Sequence, residues 1–383
     1  MRTFCIVPWT QVCIHESDIK LCCIGESVGS LTSSTIPEIL NSHEVKALRL
    51  DMLAGAKNDY CKPCYLNEDL GIKSLRQDSN NGKDHGVSTE PDGASLKLSL
   101  SSVEIRFSNL CNFKCRMCMG GNSSSIAAED HARGLKKHPI LVTLNKTDII
   151  LQLREYYGTL TRFYFMGGEP LMSPDHWTLM DELIQADKAK NITLFYTTNG
   201  STLTFKDRHI FDYWSKFKDV FVTFSIDAFE QGAEYWRDGT VWTELMDNIA
   251  QTQKLKNVHV QIHSLITWPT VFSWMKFMEY CINSGVIAED KIDVYFLYHP
   301  SAFSLASAPA FKKELVRVAL EKLKKRTTSY KTLHHIEMIN KFMLKDTQQH
   351  LNQLHNTIDL DKHRKKDFFA AFPEHEDMRG YFE

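Results

Sequence analysis

The chain has 383 residues, 43% apolar and 24% charged, with Lys+Arg 45 against Asp+Glu 47 and a formal net charge of −2. That length accommodates one large domain and a smaller one around a sizeable core, and the even charge balance gives no basic field for steering nucleic acid. No apolar run is long enough to cross a bilayer, and Met1–Trp9 holds one Arg and no extended apolar stretch of the kind a secretory signal needs. A reducing cytoplasm is the expected compartment.

Residues 1–76 are Cys-rich with short apolar segments, and residues 77–97 are polar and turn-rich, reading as a linker or an ordered polar loop. From residue 98 strand and helix patterns alternate. Strands are predicted at Val103–Phe107, Arg162–Met166, Ile192–Thr198, Val220–Ile226, Val258–Ile266 and Ile292–Tyr298, each rich in β-branched and aromatic residues. Helices are predicted at Asp175–Lys188, Lys206–Lys216, Val241–Lys254 and Val271–Ser284. This is an α/β pattern. Six strands with intervening helices imply a parallel sheet, which right-handed crossovers curl into a partial (β/α)6 barrel over residues 98–305. Residues 306–383 are charged and read as a helical C-terminal extension.

Nine of the ten cysteines (5, 13, 22, 23, 61, 64, 111, 115, 118 and 281) lie in the first third of the chain. Close Cys spacings in a long cytosolic chain point to metal rather than to a disulfide framework. Cys111-x3-Cys115-x2-Cys118 follows the first barrel strand. Three thiolates on one short loop suit three irons of a [4Fe–4S] cluster, and the missing fourth Cys leaves one iron open. Zinc prefers four closed ligands, and no His stands at finger-like spacing.

The segment RFSNLCNFKCRMC closely resembles the signature loop of the radical S-adenosylmethionine (SAM) superfamily. The resemblance implies a [4Fe–4S] cluster on Cys111, Cys115 and Cys118 whose open iron binds SAM, with Met117 beside the adenine. Strand ends at Gly167-Gly168-Glu169-Pro170, Thr198-Asn199 and Ser225-Ile226-Asp227 follow in the order the family has them. By resemblance the first receives the methionyl amino group, while Thr198, Asn199, Ser225 and Asp227 lie near SAM and Arg237 meets its carboxylate. Each also has an ordinary structural role: a tight strand-to-helix turn for the glycines, helix capping for Ser, Asp and Asn, a surface ion pair for Arg237.

The head of the chain, FCIVPW, LCC and CKPCY, resembles the twitch domain, a shortened SPASM-like module carrying one auxiliary iron–sulfur cluster. The match extends through EILNSHEVKALRLDMLAGAKNDYCKPCY and, after the sixth strand, HPSAFSLASAPAFKK. It implies a second [4Fe–4S] cluster on Cys5, Cys22, Cys61 and Cys64. Adjacent residues of a strand face opposite ways, so Cys22 and Cys23 are not expected to share it. A zinc ribbon made by the same four residues is the alternative.

Together the resemblances imply an oxidoreductase or modifying enzyme acting on a peptide or small molecule, with a reductant such as flavodoxin or ferredoxin and with neither membrane nor nucleic acid as partner. The alternative is an inactive iron–sulfur or zinc-binding interaction protein that retains the fold.

Overall fold

The computed structural model describes residues 3–69, 73–80, 87–135, 137–143, 146–345 and 355–382. Residues 81–86 of the expected linker and 346–354 of the expected C-terminal extension lie outside them. The fold is α/β with mostly parallel strands, and the chain divides into two compact units.

The first unit comprises Met1–Leu110, Leu141–Tyr196 and Asp212–Val220. Its strands are β1 (Gln11–His15), β2 (Asp18–Lys20), β3 (Gly29–Ser30), β4 (Ser102–Arg106), β5 (Arg162–Phe165) and the start of β6 (Thr193–Thr198). They run in the order β3-β2-β1-β4-β5-β6. β1, β4, β5 and β6 are parallel, and β2 and β3 pair antiparallel at the edge. Alternation sorts the side chains. Val12 and Ile14, Val103 and Ile105, Phe163 and Phe165, and Leu194 and Tyr196 are all buried. The opposite face carries the in-register row Cys13, Glu104, Tyr164 and Phe195. Helix Pro174–Gln185 packs on the apolar side through His176, against Phe165 and Tyr196, and buries Trp177, Leu179, Met180 and Leu183, while helix His43–Ala54 buries Leu48 and Met52.

β1 was not among the predicted strands: the N-terminal segment supplies a parallel strand beside the first barrel strand. Its buried stretch is three residues long, too short for a periodicity to register. Residues 87–95 are ordered. Asn41 bonds both backbone groups of Ser95, and the buried Arg49 donates to the Pro8 carbonyl at 2.8 Å and to Asn41 Oδ1 at 3.0 Å.

The second unit comprises Cys111–Ile140, Thr197–Phe211 and Phe221–Glu383. It holds the hairpin β7 (Thr204–Phe205) and β8 (Arg208–His209), most of β9 (Asp219–Ser225), β10 (Val258–Ile266) and β11 (Ile292–Phe296). β9, β10 and β11 are neighbours in that order, and β10 and β11 are parallel. Helix Val271–Ser284 coincides with its prediction, and Trp242–Thr252 nearly so. The predicted helix Lys206–Lys216 is corrected to the β7–β8 hairpin followed by a helix at Ile210–Trp214. Lys206 has φ +56°, which turns the chain back before a helix can start. Helices Ala310–Lys324, Tyr330–Met343 and His355–Arg364 follow. No helix among the described residues is long and apolar enough to cross a membrane.

Candidate functional site

The second unit holds the three-cysteine loop. Its backbone is pinned on one side by residues 236–238: Lys114 N–H donates to the Asp238 carbonyl at 2.7 Å and Arg116 N–H to the Trp236 carbonyl at 2.9 Å. On the other side stand three serines at a helix start. Ser124 Oγ accepts from Cys111 N–H at 3.1 Å, Ser125 Oγ donates to the Cys111 carbonyl at 2.7 Å, and Ser123 Oγ donates to the Phe113 carbonyl at 2.6 Å. Gly239, at φ +121°, lies against the Phe113 ring, and a Cβ there would come within 2.4 Å of it. Only glycine tolerates both the dihedral and the approach.

The loop gathers its thiols. Burial pushes Cys115 up to about 12, with Arg237 opposing and the sulfurs of Cys118 and Cys111 adding to the rise. Two side-chain donors face sulfur: Asn199 Nδ2 at 3.9 Å from Cys111 and Arg237 Nη1 at 4.0 Å from Cys115. Such donors suit anionic sulfur, as in a thiolate-held cluster. Asn199 also donates to Asn112 Oδ1 at 2.9 Å, keeping it against the loop.

The other predicted SAM-side residues of this unit are built as follows. Arg237 is committed to Asp227, with Nε 2.8 Å from Oδ2, and Asp227 also accepts from Leu265 N–H at 2.8 Å. Its fork is thus occupied by a buried carboxylate. Thr198 Oγ1 accepts from Gly200 N–H at 3.0 Å. Ser225 ends β9 and is buried, and Met117 is half-buried between the second and third cysteines.

Sequence reasoning did not find the supports from the C-terminal tail, because each joins residues more than 100 positions apart. Arg116, between Cys115 and Cys118, pairs with Asp361, and its guanidinium lies 4.0 Å over the Tyr235 ring. Asp361 also accepts from Tyr235 Oη at 2.9 Å and from Phe368 N–H at 2.8 Å. Arg364 pairs with Glu129 at 2.6 Å and donates to the Lys114 carbonyl at 2.7 Å, while Lys366 reaches Asp238 at 2.8 Å.

In the first unit the Gly167-Gly168-Glu169-Pro170 turn packs on the segment leading into Cys111. Glu169 N–H donates to the Leu110 carbonyl at 2.7 Å, and a Cβ on Gly168 would lie 2.2 Å from that carbonyl oxygen. Gly167, at φ +117°, lies against Arg106. The two glycines are therefore required by backbone approach. Buried Glu169 accepts from Leu171 N–H at 3.2 Å, capping the short turn Pro170–Met172.

The first unit also brings the four predicted N-terminal thiols together. Burial pushes Cys5 up to about 12, with the sulfurs of Cys61, Cys22 and Cys64 adding to it. Cys61 is likewise pushed up to about 12 by burial, then by Cys22 and Cys64. Cys22 is raised by burial, while the N–H groups of Ile24 and Gly25 donate to its sulfur and oppose the rise. Cys22 and Cys23 lie in a turn after β2, not on a strand as expected, because Gly25 N–H bonds back to the Cys22 carbonyl at 3.1 Å. Cys61 ends the 3-10 turn Asp59–Cys61 and Cys64, three residues on, lies in the first turn of the helix Lys62–Asp69 that follows. Cys23 instead stands by Glu104, which with burial pushes it up to about 11.

Among the described residues no three His, Cys, Asp or Glu are placed to share a single metal ion. The four thiols act on one another electrostatically, and backbone N–H groups face the sulfurs of Cys5 and Cys22, a donor set of the kind an iron–sulfur group uses. Cys13 and Cys281 are buried, and the Cys13 thiol lies near enough to Cys23 and Cys22 for both to act on it.

Residues 105–268 match the family described as "Radical SAM superfamily". Among solved structures, native anSMEcpe with bound AdoMet aligns at 17% identity and TM-score 0.41, over 68% of this chain and 66% of that one. SuiB of Streptococcus suis bound to S-adenosylmethionine aligns at 15% identity and TM-score 0.36, over 87% and 67%. SuiB bound to its precursor peptide SuiA aligns at 14% identity and TM-score 0.37, over 87% and 68%. This chain thus spans just under two thirds of the anSMEcpe chain. No curated protein matches it. The thiol loop and the strand ends that follow it fall within the span that matches the radical SAM superfamily.

Proposed function

We propose that this protein is a radical SAM enzyme that reductively cleaves S-adenosylmethionine and abstracts a hydrogen atom from a peptide or small metabolite. Cys111, Cys115 and Cys118 hold a [4Fe–4S] cluster with one open iron, the cofactor that supplies electron delivery to the sulfonium and release of a 5′-deoxyadenosyl radical when bound. Met117, Gly167, Gly168, Glu169, Pro170, Thr198, Asn199, Ser225, Asp227 and Arg237 serve SAM. The backbone of the glycine turn receives its ammonium group. Asn199 and Arg237 act chiefly through the loop, placing donors on the sulfurs of Cys111 and Cys115. Water exclusion falls in part to the tail, whose Asp361 and Arg364 hold the cluster loop closed against solvent.

Cys5, Cys22, Cys61 and Cys64 hold a second [4Fe–4S] cluster in a twitch-like domain of residues 1–76, followed by the linker 77–97, the barrel 98–305 and the extension 306–383. A fully ligated second cluster suits electron acceptance, giving net substrate oxidation. The setting is cytoplasmic, with flavodoxin or ferredoxin as reductant.

The observation that carries this reading is a single short loop presenting three thiols, two of them facing side-chain donors. Anaerobic reconstitution should yield about eight irons per chain, and dithionite with SAM should yield 5′-deoxyadenosine. Bound iron without any deoxyadenosine would make it a non-catalytic iron–sulfur protein. Bound zinc would sink the reading.

A further inference from the structure

The first unit contains a cavity of about 360 Å³, lined among others by Gln11, Cys23, Asp78, Glu104, Arg162 and Tyr164. Small-molecule sites start at about 300 Å³, so this one is of amino-acid size. The sheet register explains why these groups meet. Gln11, Ser102 and Arg162 form one same-face row and Cys13, Glu104 and Tyr164 the next. The Glu104 carboxylate is buried and lies 2.8 Å from His15 Nε2. Arg162, Glu104 and Cys23 all lie near enough to act electrostatically on the Tyr164 phenol. The Tyr164 ring stacks on Phe195 at 4.3 Å and 9°, giving the cavity a flat aromatic floor.

We propose that this cavity binds a small zwitterion, a free amino acid or one of similar size and charge, as substrate of the reaction proposed above. Glu104, oriented by His15, takes the ammonium group. Arg162, which lines the same cavity as Tyr164, takes the carboxylate. A carboxylate and a guanidinium in adjacent rows of one sheet face make a dipolar cleft that rewards a ligand of opposite polarity at each end and penalises one lacking either charge. The placement suits the chemistry. Glu104 is one same-face step from Arg106, about 7 Å along the strand, and Arg106 packs on Gly167 of the turn assigned to SAM. Cys23, also on the lining, adjoins Cys22 of the four-thiol set. Cys23 is thereby assigned to the cavity wall and not to a cluster.

The test is anaerobic calorimetry on the reconstituted full-length protein with the common L-amino acids, their amides and their N-acetyl derivatives. At least one amino acid should bind, and N-acetylation or amidation should each weaken it about tenfold or more. In Glu104→Gln the penalty for N-acetylation should vanish, and in Arg162→Gln the penalty for amidation. The comparison among the three ligand forms needs no variant, so misfolding of one leaves the test standing. No binding by any amino acid, or penalties unchanged in the variants, overturns the proposal. Deoxyadenosine formation without amino-acid binding sinks the cavity assignment alone. Binding without deoxyadenosine formation sinks its role as substrate site together with the function it rests on.

Discussion

The two thiol sets are built on opposite plans. Cys111, Cys115 and Cys118 come from one stretch of eight residues, whereas Cys5, Cys22 and the Cys61/Cys64 pair come from three segments spread over sixty positions. The short loop cannot fix its own shape. Its rigidity is imported, from the backbone of residues 236–238, from serines 123–125 and from the tail through Asp361 and Arg364. The dispersed set is fixed by its own surroundings: Arg76 and Asn80 hold the Phe4 carbonyl, and Tyr60 packs on the turn at Gly25. The contiguous set is cheap to specify in sequence and costly to hold. The dispersed set is the reverse.

The sharpest test of that contrast separates the two sets by activity. Cys115→Ala should abolish deoxyadenosine formation while leaving about four irons per chain. The double variant Cys61→Ser/Cys64→Ser should also lose about four irons, but SAM cleavage in the absence of substrate should persist. If both variants lose SAM cleavage equally, the sets are not independent. The next test targets the imported rigidity. Asp361→Ala leaves the Arg116 guanidinium, 1% exposed, without its carboxylate, and should cost about 3–5 kcal/mol. Amide hydrogen exchange should show the loss across residues 111–118 and leave the Cys5–Cys64 region unchanged, and the paramagnetic signal of the reduced cluster should broaden.

The smallest effect is acid sensitivity. Burial holds His176 of the first unit down at about 3, and His335 and His375 of the second at about 4 and about 3. The unfolded chain protonates these side chains below about pH 6.5 while the folded units do not. The stability from keeping them neutral is therefore full above that pH and falls away beneath it. Between pH 7.5 and 5.5 each buried histidine should cost about 1 kcal/mol, so exchange measured at the two pH values should show the second unit weakened more than the first.

The contrast also explains what was legible. Five of the predicted strands lie within two residues of those observed at each end, and Val258–Ile266 coincides, because each has a buried row of apolar residues at period two. The Cys loop was legible because its ligands are neighbours in sequence. The hairpin at Thr204–His209 was not, since two-residue strands leave no periodic signal. Nor were Asp361, Arg364, Glu104 and His15: a charged residue carries no mark of the partner it meets 89 or 245 positions away.

The pairing of β1 with β4 has a consequence for how the protein is made. Gln11 meets Ser102, 91 positions later. At about 5–20 residues per second of synthesis, the first strand emerges roughly 5–18 seconds before its partner exists. Through that interval Val12, Cys13 and Ile14 are an unpaired apolar edge with only the β2–β3 ribbon beside them. Oxygen or a chaperone shortage during translation should therefore damage the N-terminal cysteines first, and slower decoding between residues 30 and 100 should worsen the yield of folded chain.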